Sequence, residues 1–224
     1  MFLSIALVLR AFFSADIPLF GASGIRIGPH SIFVALPAFL YGPFYGALVA
    51  ALADFLGFVI RPSGPSWLPF LTLNAAIGGF VRGVLWSFLA NKKTPVLRCV
   101  CVGVCLGGGA LGAALSELAL VITGILAAFL LILDGFLNKF LKTRAASLPV
   151  LLAMLVSAAL ISTLNTIFLR FTVFAEVWEL LPFWAIWTPR ITVALASAAI
   201  YAYVITVILE TARAVKILAP KVKQ

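Results

Sequence analysis

Four arginines stand next to glycines, prolines or the ends of apolar runs in an otherwise strongly apolar chain. Arg26 lies in the stretch GASGIRIGPH, Arg61 opens RPSGPSWLP, and Arg170 and Arg190 end and begin long apolar runs. A guanidinium binds a carboxylate or a phosphate through paired hydrogen bonds, so arginines at a shared mouth can hold an anionic ligand. The alternative for each arginine is a side chain that extends to lipid headgroups.

Large aromatic residues accompany these arginines. Trp67, Phe70, Trp184 and Trp187 border the same polar segments. Such residues ordinarily anchor a protein at the membrane interface, and the alternative is a stacking wall for a flat heteroaromatic ligand. His30 is the only histidine, which favours a hydrogen-bonding loop residue over a metal ligand. We therefore expect neither a metal site of the usual kind nor a cofactor.

A single aspartate, Asp54, interrupts the apolar stretch ALADFLGFVI. An unpaired charge is expensive inside a membrane, so this carboxylate needs a partner. We predict a structural ion pair between Asp54 and Arg82 of the next apolar segment, with Arg10 and Arg190 as other candidates. The alternative is a proton relay based on Asp54, which would make the protein an ion-coupled carrier that works alone.

The composition determines what kind of fold must position these residues. Of 224 residues, 10% are charged and 64% are hydrophobic, and the mean hydropathy is +1.20. A soluble domain has about 25% charged residues, so the chain is an integral membrane protein. Its apolar runs of about 15 to 23 residues indicate helices rather than the ten-residue alternating strands of a barrel. The predicted fold is an all-α integral membrane helical bundle that forms a single membrane domain.

The order of the apolar segments predicts eight spans. The run at 96–136 exceeds the roughly 20 residues of one span, so we interpret 96–137 as an inserted hairpin of two helices. The remaining spans form two halves of a core, residues 1–92 and 147–211. They are predicted at about 2–19, 31–41, 44–60 and 71–90 in the first half, and at about 148–169 and 186–209 in the second.

The basic residues predict the orientation of the bundle. The net charge is +9, and lysines and arginines cluster at 92–98, 139–144 and 213–223. With eight spans these clusters share one face, which the positive-inside rule makes cytoplasmic together with both termini. The loops at 21–30 and 61–69 then face outward from a multi-pass protein of the cell membrane. The same rule explains the positive charge without a nucleic-acid partner.

Motifs for bond-making or bond-breaking chemistry are absent from the sequence. It contains no GxxxxGK[ST] phosphate loop, no Ser/His/Asp set and no HExxH pair. We therefore expect no catalytic residues and no enzyme activity, and any energy for transport would come from other subunits.

Several stretches together resemble a known family. GIRIG, ALPAFLYGPFYGALVAALADFLGFVIRPSGP and FLTLNAAIGGFVRG are similar to the N-terminal half of folate-specific S components of energy-coupling factor (ECF) vitamin transporters. LNTIFL and the pair Pro189-Arg190 resemble the C-terminal half. The resemblance implies a six-span S-component core, here with a two-helix insertion. It also implies capture of folate or a related pterin outside the cell and delivery through a membrane scaffold with two cytoplasmic ATPases.

The resemblance also assigns site residues. Those that match family motifs are Arg26, Gly64, Pro65, Thr72, Asn165 and Arg190, and to them we add the polar or aromatic neighbours His30, Trp67, Asn74 and Trp187. Folate suits this set because a pterin ring stacks on aromatic residues and its glutamate carboxylates suit arginine.

The chain departs from the family pattern at three places. Gly28-Pro29-His30 follows the first-loop arginine where Ser-Phe-Gly is usual, and Asn74 stands where serine is usual. The cytoplasmic half of the first span lacks the small residues four apart that the family uses to dock on its scaffold, since Ala11 and Ala15 lie too far out. These differences leave another vitamin or a queuosine precursor as alternative ligands, and a structural or assembly protein is the rival outside transport.

Overall fold

The computed structural model describes residues 1–19, 22–62, 67–90, 147–172 and 182–214, with side chains for all of these except 16–26, 147 and 213–214. The predicted insertion at 96–137 and the candidate residues Gly64 and Pro65 lie outside the described residues.

Six α-helices make up most of the described chain. They are α1 (Phe2–Phe12), α2 (His30–Tyr41), α3 (Pro43–Ile60), α4 (Pro69–Leu89), α5 (Ser147–Thr172) and α6 (Phe183–Ala214). Four stretches, which include all or most of α3 to α6, are long and apolar enough to cross a membrane: Pro43–Ile60, Pro69–Leu89, Leu148–Thr172 and Phe183–Ala212. The prediction of a helical membrane bundle is therefore confirmed.

A β-hairpin replaces the second part of the first predicted span. The sequence predicts a helix over about 2–19, but α1 ends at Phe12 and is followed by strand β1, Ala15–Leu19. This strand pairs antiparallel with β2, Ala22–Ile27, and the register shifts at Pro18. Proline lacks the N–H that a helix interior needs, and in sheets it is confined to edges and bulges. The predicted extent of the first span was wrong for this reason.

A one-residue turn joins α2 to α3. Gly42 has φ of 95°, a backbone conformation that favours glycine, and Pro43 begins α3 with its missing N–H at a position that needs no helical bond. Gly42 and Pro43 thus make a tight turn, and it sets α2 and α3 side by side.

Helices α3 and α4 approach closely at two glycines. A Cβ atom on Gly79 would collide with the backbone of Gly46, and a Cβ on Gly46 would meet the backbone oxygen of Gly79. Small residues let membrane helices approach to backbone contact, where dispersion and weak hydrogen bonds replace the missing hydrophobic drive. Glycines of α3 and α4 therefore allow a close helix contact within the bundle.

The apolar core surrounds α2, which contacts α1, α3, α4 and α6. Leu36 of α2 is 1% exposed, and it belongs to one buried cluster with Val150 of α5 and Ala202 of α6. At 1.5 Å per residue α2 is about 18 Å long, roughly half of the membrane's apolar thickness. The core therefore fills one half of the bundle, and the hairpin and polar side chains occupy the other half.

Candidate ligand-binding site

The polar side chains of interest lie at the end of the bundle where α3 and α5 end and α4 and α6 begin. We call this the hairpin end, because Arg61 at the end of α3 donates to the Ser14 carbonyl, immediately before β1, at 3.4 Å. Non-helical backbone is tolerated at membrane depth only where protein buries it or where it borders a polar space. Strand β2 also contacts α6.

One set of polar residues, which we call the α3/α4 network, consists of Arg10, Asp54, Thr72 and Trp67. Arg10 Nη1 lies 3.5 Å from Asp54 Oδ1. Thr72 Oγ1 donates to Asp54 Oδ2 at 2.9 Å and accepts a hydrogen bond from Trp67 Nε1 at 3.0 Å. The Trp67 ring also makes an edge contact with Phe55, with 5.2 Å between centroids. The network thus joins α1, α3, α4 and the residue just before α4, and its members bond one another.

The ion pair reaches across α3 at a glycine. A Cβ on Gly57 would collide with the Arg10 guanidinium, so the absence of a side chain there leaves room for the arginine. Arg10 Nη1 also donates to the Ala53 carbonyl at 2.9 Å. The side chains of Arg10 and Asp54 are only 11% and 28% exposed, so the pair is largely removed from solvent.

The predicted ion pair between Asp54 and Arg82 is wrong. Asp54 pairs with Arg10, and Arg82 Nε instead donates to Ser157 Oγ of α5 at 2.9 Å. Asp54 is level with Thr72, which bonds it, and Arg82 lies ten residues further along α4, so their depths differ by about 15 Å. Hydropathy does not report this offset between neighbouring helices.

The sequence offered Arg61 as a residue that could bind an anionic ligand. In the structure its side chain instead caps the end of α1. Its Nη1 donates to the Ala11 carbonyl at 3.2 Å as well as to Ser14. The last carbonyls of a helix have no intrahelical donor, and a guanidinium supplies one.

A second set of candidate residues, the α4–α6 group, consists of Asn74, Asn165, Trp187 and Arg190. At 1.5 Å per residue they lie about 6 to 11 Å from the nearest helix ends, all at the hairpin end. Asn74 Nδ2 donates to Asn165 Oδ1 at 2.6 Å and to the Ile161 carbonyl at 3.0 Å. Asn74 is 1% exposed, and its Oδ1 has no hydrogen-bond partner among the described residues.

Trp187 links α6 to α5 and belongs to an aromatic cluster. Its Nε1 donates to Thr163 Oγ1 at 3.0 Å, and its ring centroid lies 5.6 Å from that of Trp184 and 6.3 Å from that of Phe183. Arg170 Cζ stands 5.9 Å from the Phe183 centroid. The cluster gathers three aromatic rings at the start of α6.

Arg190 lies one turn below Trp187 on α6 and is 8% exposed. Its Nε and Nη1 have no acceptor within the part of the chain that the structure describes. A buried charged group that lacks hydrogen bonds is costly, so Arg190 is the strongest candidate for contact with an anionic ligand.

The structure separates the residues predicted as one site. Thr72 and Asn74 are two positions apart on α4, about 200° around the helix, so one faces α3 and the other faces α5. Trp67 accordingly lies with Asp54 and not with Asn165. His30 begins α2, and Arg26 stands opposite Asp16 in the hairpin.

Two residues that complete these contacts were missed in the sequence, Thr163 and Ser157. The signal for Thr163 was available, because the stretch STLNT places four polar residues within five positions of an apolar span. Polar side chains in membrane helices are enriched at helix–helix contacts. Ser157 stands alone in its segment and has no comparable signal.

Comparison with known proteins gives two findings. The model of the family described as ECF-type riboflavin transporter, S component, matches residues 2–117, which include α1 to α4 and the hairpin. The folate transporter FolT of Clostridium novyi (strain NT) is 35% identical over 96 residues, 43% of this chain and 51% of the relative. The chain thus spans about half the length of that relative. No solved structure matches. Because the family match covers more than half of the chain, this protein belongs to the family of ECF-type riboflavin transporter S components.

Proposed function

We propose that this protein is a vitamin-capture subunit that binds folate or a related pterin at the hairpin end of the bundle. In this proposal the hairpin end faces outward from the cell membrane, and the basic segments and both termini are cytoplasmic, as the positive-inside rule predicts. The bound vitamin is then delivered through a membrane scaffold driven by two cytoplasmic ATPases.

The observation that carries the proposal is Arg190. Its guanidinium is buried, and two of its nitrogens lack acceptors among the described residues. An anion would supply those acceptors with charge-assisted hydrogen bonds, which are roughly twice as strong as neutral ones. Folate carries two carboxylates on its glutamate, and either could accept hydrogen bonds from Arg190.

The surroundings of Arg190 suit the other parts of folate. Trp187 and its aromatic neighbours offer flat apolar surface for a ring, and the amides of Asn74 and Asn165 offer hydrogen bonds for ring edges. Ligand sites commonly combine such an apolar wall with a few polar groups. The relative described as a folate transporter supports the same cargo.

Riboflavin is the second candidate, favoured by the description of the matching family. Its ring system is also flat and carries amide-like edges, but riboflavin has no carboxylate. Binding of riboflavin would leave Arg190 without an anionic partner, so the two vitamins make different predictions about this residue.

Binding titrations on the detergent-solubilised protein test the proposal. We expect saturable binding of folate, with a melting temperature that rises with folate concentration because the ligand binds the folded state. Riboflavin, other vitamins and a queuosine precursor are titrated in parallel. The absence of saturable folate binding at micromolar ligand contradicts the proposal, and saturable riboflavin binding alone supports the second candidate.

Reconstitution separates a capture subunit from a carrier that works alone. Proteoliposomes that contain this chain together with the ECF scaffold and ATPases are expected to accumulate labelled folate only when ATP is supplied. Vesicles with this chain alone serve as the control. Uptake by those vesicles that an uncoupler abolishes would instead support an ion-coupled carrier.

A further inference from the structure

The orientation of the Asn74 side-chain amide follows from its contact with a backbone carbonyl. The Ile161 oxygen can only accept, so the Asn74 atom that faces it at 3.0 Å must be the NH₂ nitrogen. The same nitrogen lies 2.6 Å from an oxygen of Asn165, so both hydrogens of Asn74 Nδ2 are used. Because Asn74 is 1% exposed, it has no room to reorient toward solvent.

The orientation of Asn165 follows in turn. The atom of Asn165 that meets a donor must be the carbonyl oxygen, so Oδ1 is turned toward α4. Its Nδ2 is then turned away from Asn74, and within the described residues no acceptor receives a hydrogen bond from it. Asn165, unlike Asn74, is only partly buried, so this NH₂ group is available to a ligand.

We infer that Asn74 is a specificity-determining positioning residue, which holds Asn165 as a hydrogen-bond donor and so selects ligands that present a ring carbonyl. A free asparagine amide accepts as readily as it donates, because a flip exchanges the two atoms. The hydrogen bond from Asn74 fixes the Asn165 amide in the orientation in which its NH₂ group can donate to a ligand. This inference rests on the proposed function, since it concerns which pteridine the same site accepts.

Two pteridines that differ at one edge of the ring distinguish the donor from the acceptor state. Folate carries a carbonyl at position 4 and a hydrogen on N3, whereas aminopterin carries an amino group at position 4 and no hydrogen on N3, and the rest of the molecule is the same. A donor NH₂ group bonds the carbonyl but faces another donor in aminopterin. A mismatch that leaves buried polar groups unpaired weakens binding, so we expect the wild type to bind folate at least about tenfold more tightly than aminopterin.

Removal of the constraint tests the inference. Asn74→Ser removes the amide that orients Asn165 without adding charge, so Asn165 can flip and accept from the 4-amino group. We expect the ratio of aminopterin Kd to folate Kd to fall by about tenfold toward unity. Asn165→Asp keeps the bond from Asn74 and offers only acceptors to the ligand, so it should reverse the preference toward aminopterin.

Ser157→Ala is the matched control, because it removes a hydrogen bond between the same two helices, the one from Arg82, without touching Asn165. The ratio of aminopterin Kd to folate Kd in this variant should equal that of the wild type. If the wild type binds folate and aminopterin equally, the inference is overturned without any variant. An unchanged ratio in Asn74→Ser also overturns it while folate binding stands. A wild type that binds neither pteridine overturns the proposed function and this inference together.

Discussion

The two polar regions on either side of α4 differ in the hydrogen bonding of their central groups, the Asp54 carboxylate in one and the Asn74 amide and Arg190 guanidinium in the other. In the α3/α4 network, both oxygens of Asp54 receive a donor and Thr72 serves as both donor and acceptor. In the α4–α6 group, one oxygen of Asn74 and two nitrogens of Arg190 lack partners among the described residues. Both regions lie at the same end of the bundle, so depth in the membrane does not explain the difference.

The contrast indicates different roles for the two regions. Polar groups in a membrane interior are retained at a cost, and bonding among themselves recovers part of it. The Asp54 carboxylate and the Thr72 hydroxyl bond other side chains of the protein, and these bonds hold helices together. In the proposed function, the vitamin supplies the partners that the groups of the other region lack among the described residues.

The largest expected effect concerns Arg190. Arg190→Leu should weaken folate binding by about 100-fold, because hydrogen bonds to a charged group contribute about 1.5–3 kcal/mol each. The melting temperature of the unliganded protein should not fall, since the change replaces a buried charge that has no ion-pair partner among the described residues by an apolar side chain. Isothermal titration and thermal denaturation on the same preparation measure both quantities.

Arg170→Leu is the control for that experiment. Arg170 lies at the same end of the bundle but stacks near Phe183, so its removal should leave folate affinity within about twofold. Equal losses of affinity in the two variants would mean that general positive charge attracts the ligand, and the distinction between the two regions would not hold.

An effect on stability is expected from the α3/α4 network. Arg10→Met leaves Asp54 without its cation and should lower the free energy of unfolding by about 1–3 kcal/mol, reduced from the fully buried case because Asp54 is 28% exposed. Folate affinity of the folded protein should stay unchanged. Denaturant titration of the purified protein measures the loss.

A double variant sharpens this test. Arg10→Met combined with Asp54→Leu should recover most of the stability that the single change loses, since no unpaired charge remains. If the double variant is less stable than Arg10→Met alone, the carboxylate stabilises the fold through Thr72 rather than through the ion pair.

Hydropathy predicted the long helices well. The segments predicted at about 44–60 and 71–90 appear as Pro43–Ile60 and Pro69–Leu89, and the glycine–proline turn before the first of them is present. These features depend on local composition and on the conformational limits of glycine and proline, which a sequence states directly.

Relative helix rotation and offset could not be predicted in the same way. The partner of Asp54 was predicted wrongly, and Thr72 and Asn74 were predicted in one site although they face different helices. Both errors depend on which face of α4 meets which neighbouring helix. Every face of these helices is apolar enough for lipid, so the usual amphipathic pattern that orients a soluble helix is weak. The hairpin was missed because β1 was assigned to the end of the first span and β2 to the loop that follows it.

The smallest expected effect concerns Trp67, which the sequence places in the binding site and the structure places in the α3/α4 network. Trp67→Phe removes the donor to Thr72 but keeps a ring against Phe55, so unfolding free energy should fall by about 0.5–1.5 kcal/mol with folate affinity unchanged. Trp187→Phe is the matched change in the other region, and it should weaken folate binding because Trp187 borders the unfilled groups. Weaker binding in Trp67→Phe than in Trp187→Phe would instead assign the ligand to the α3 side of α4.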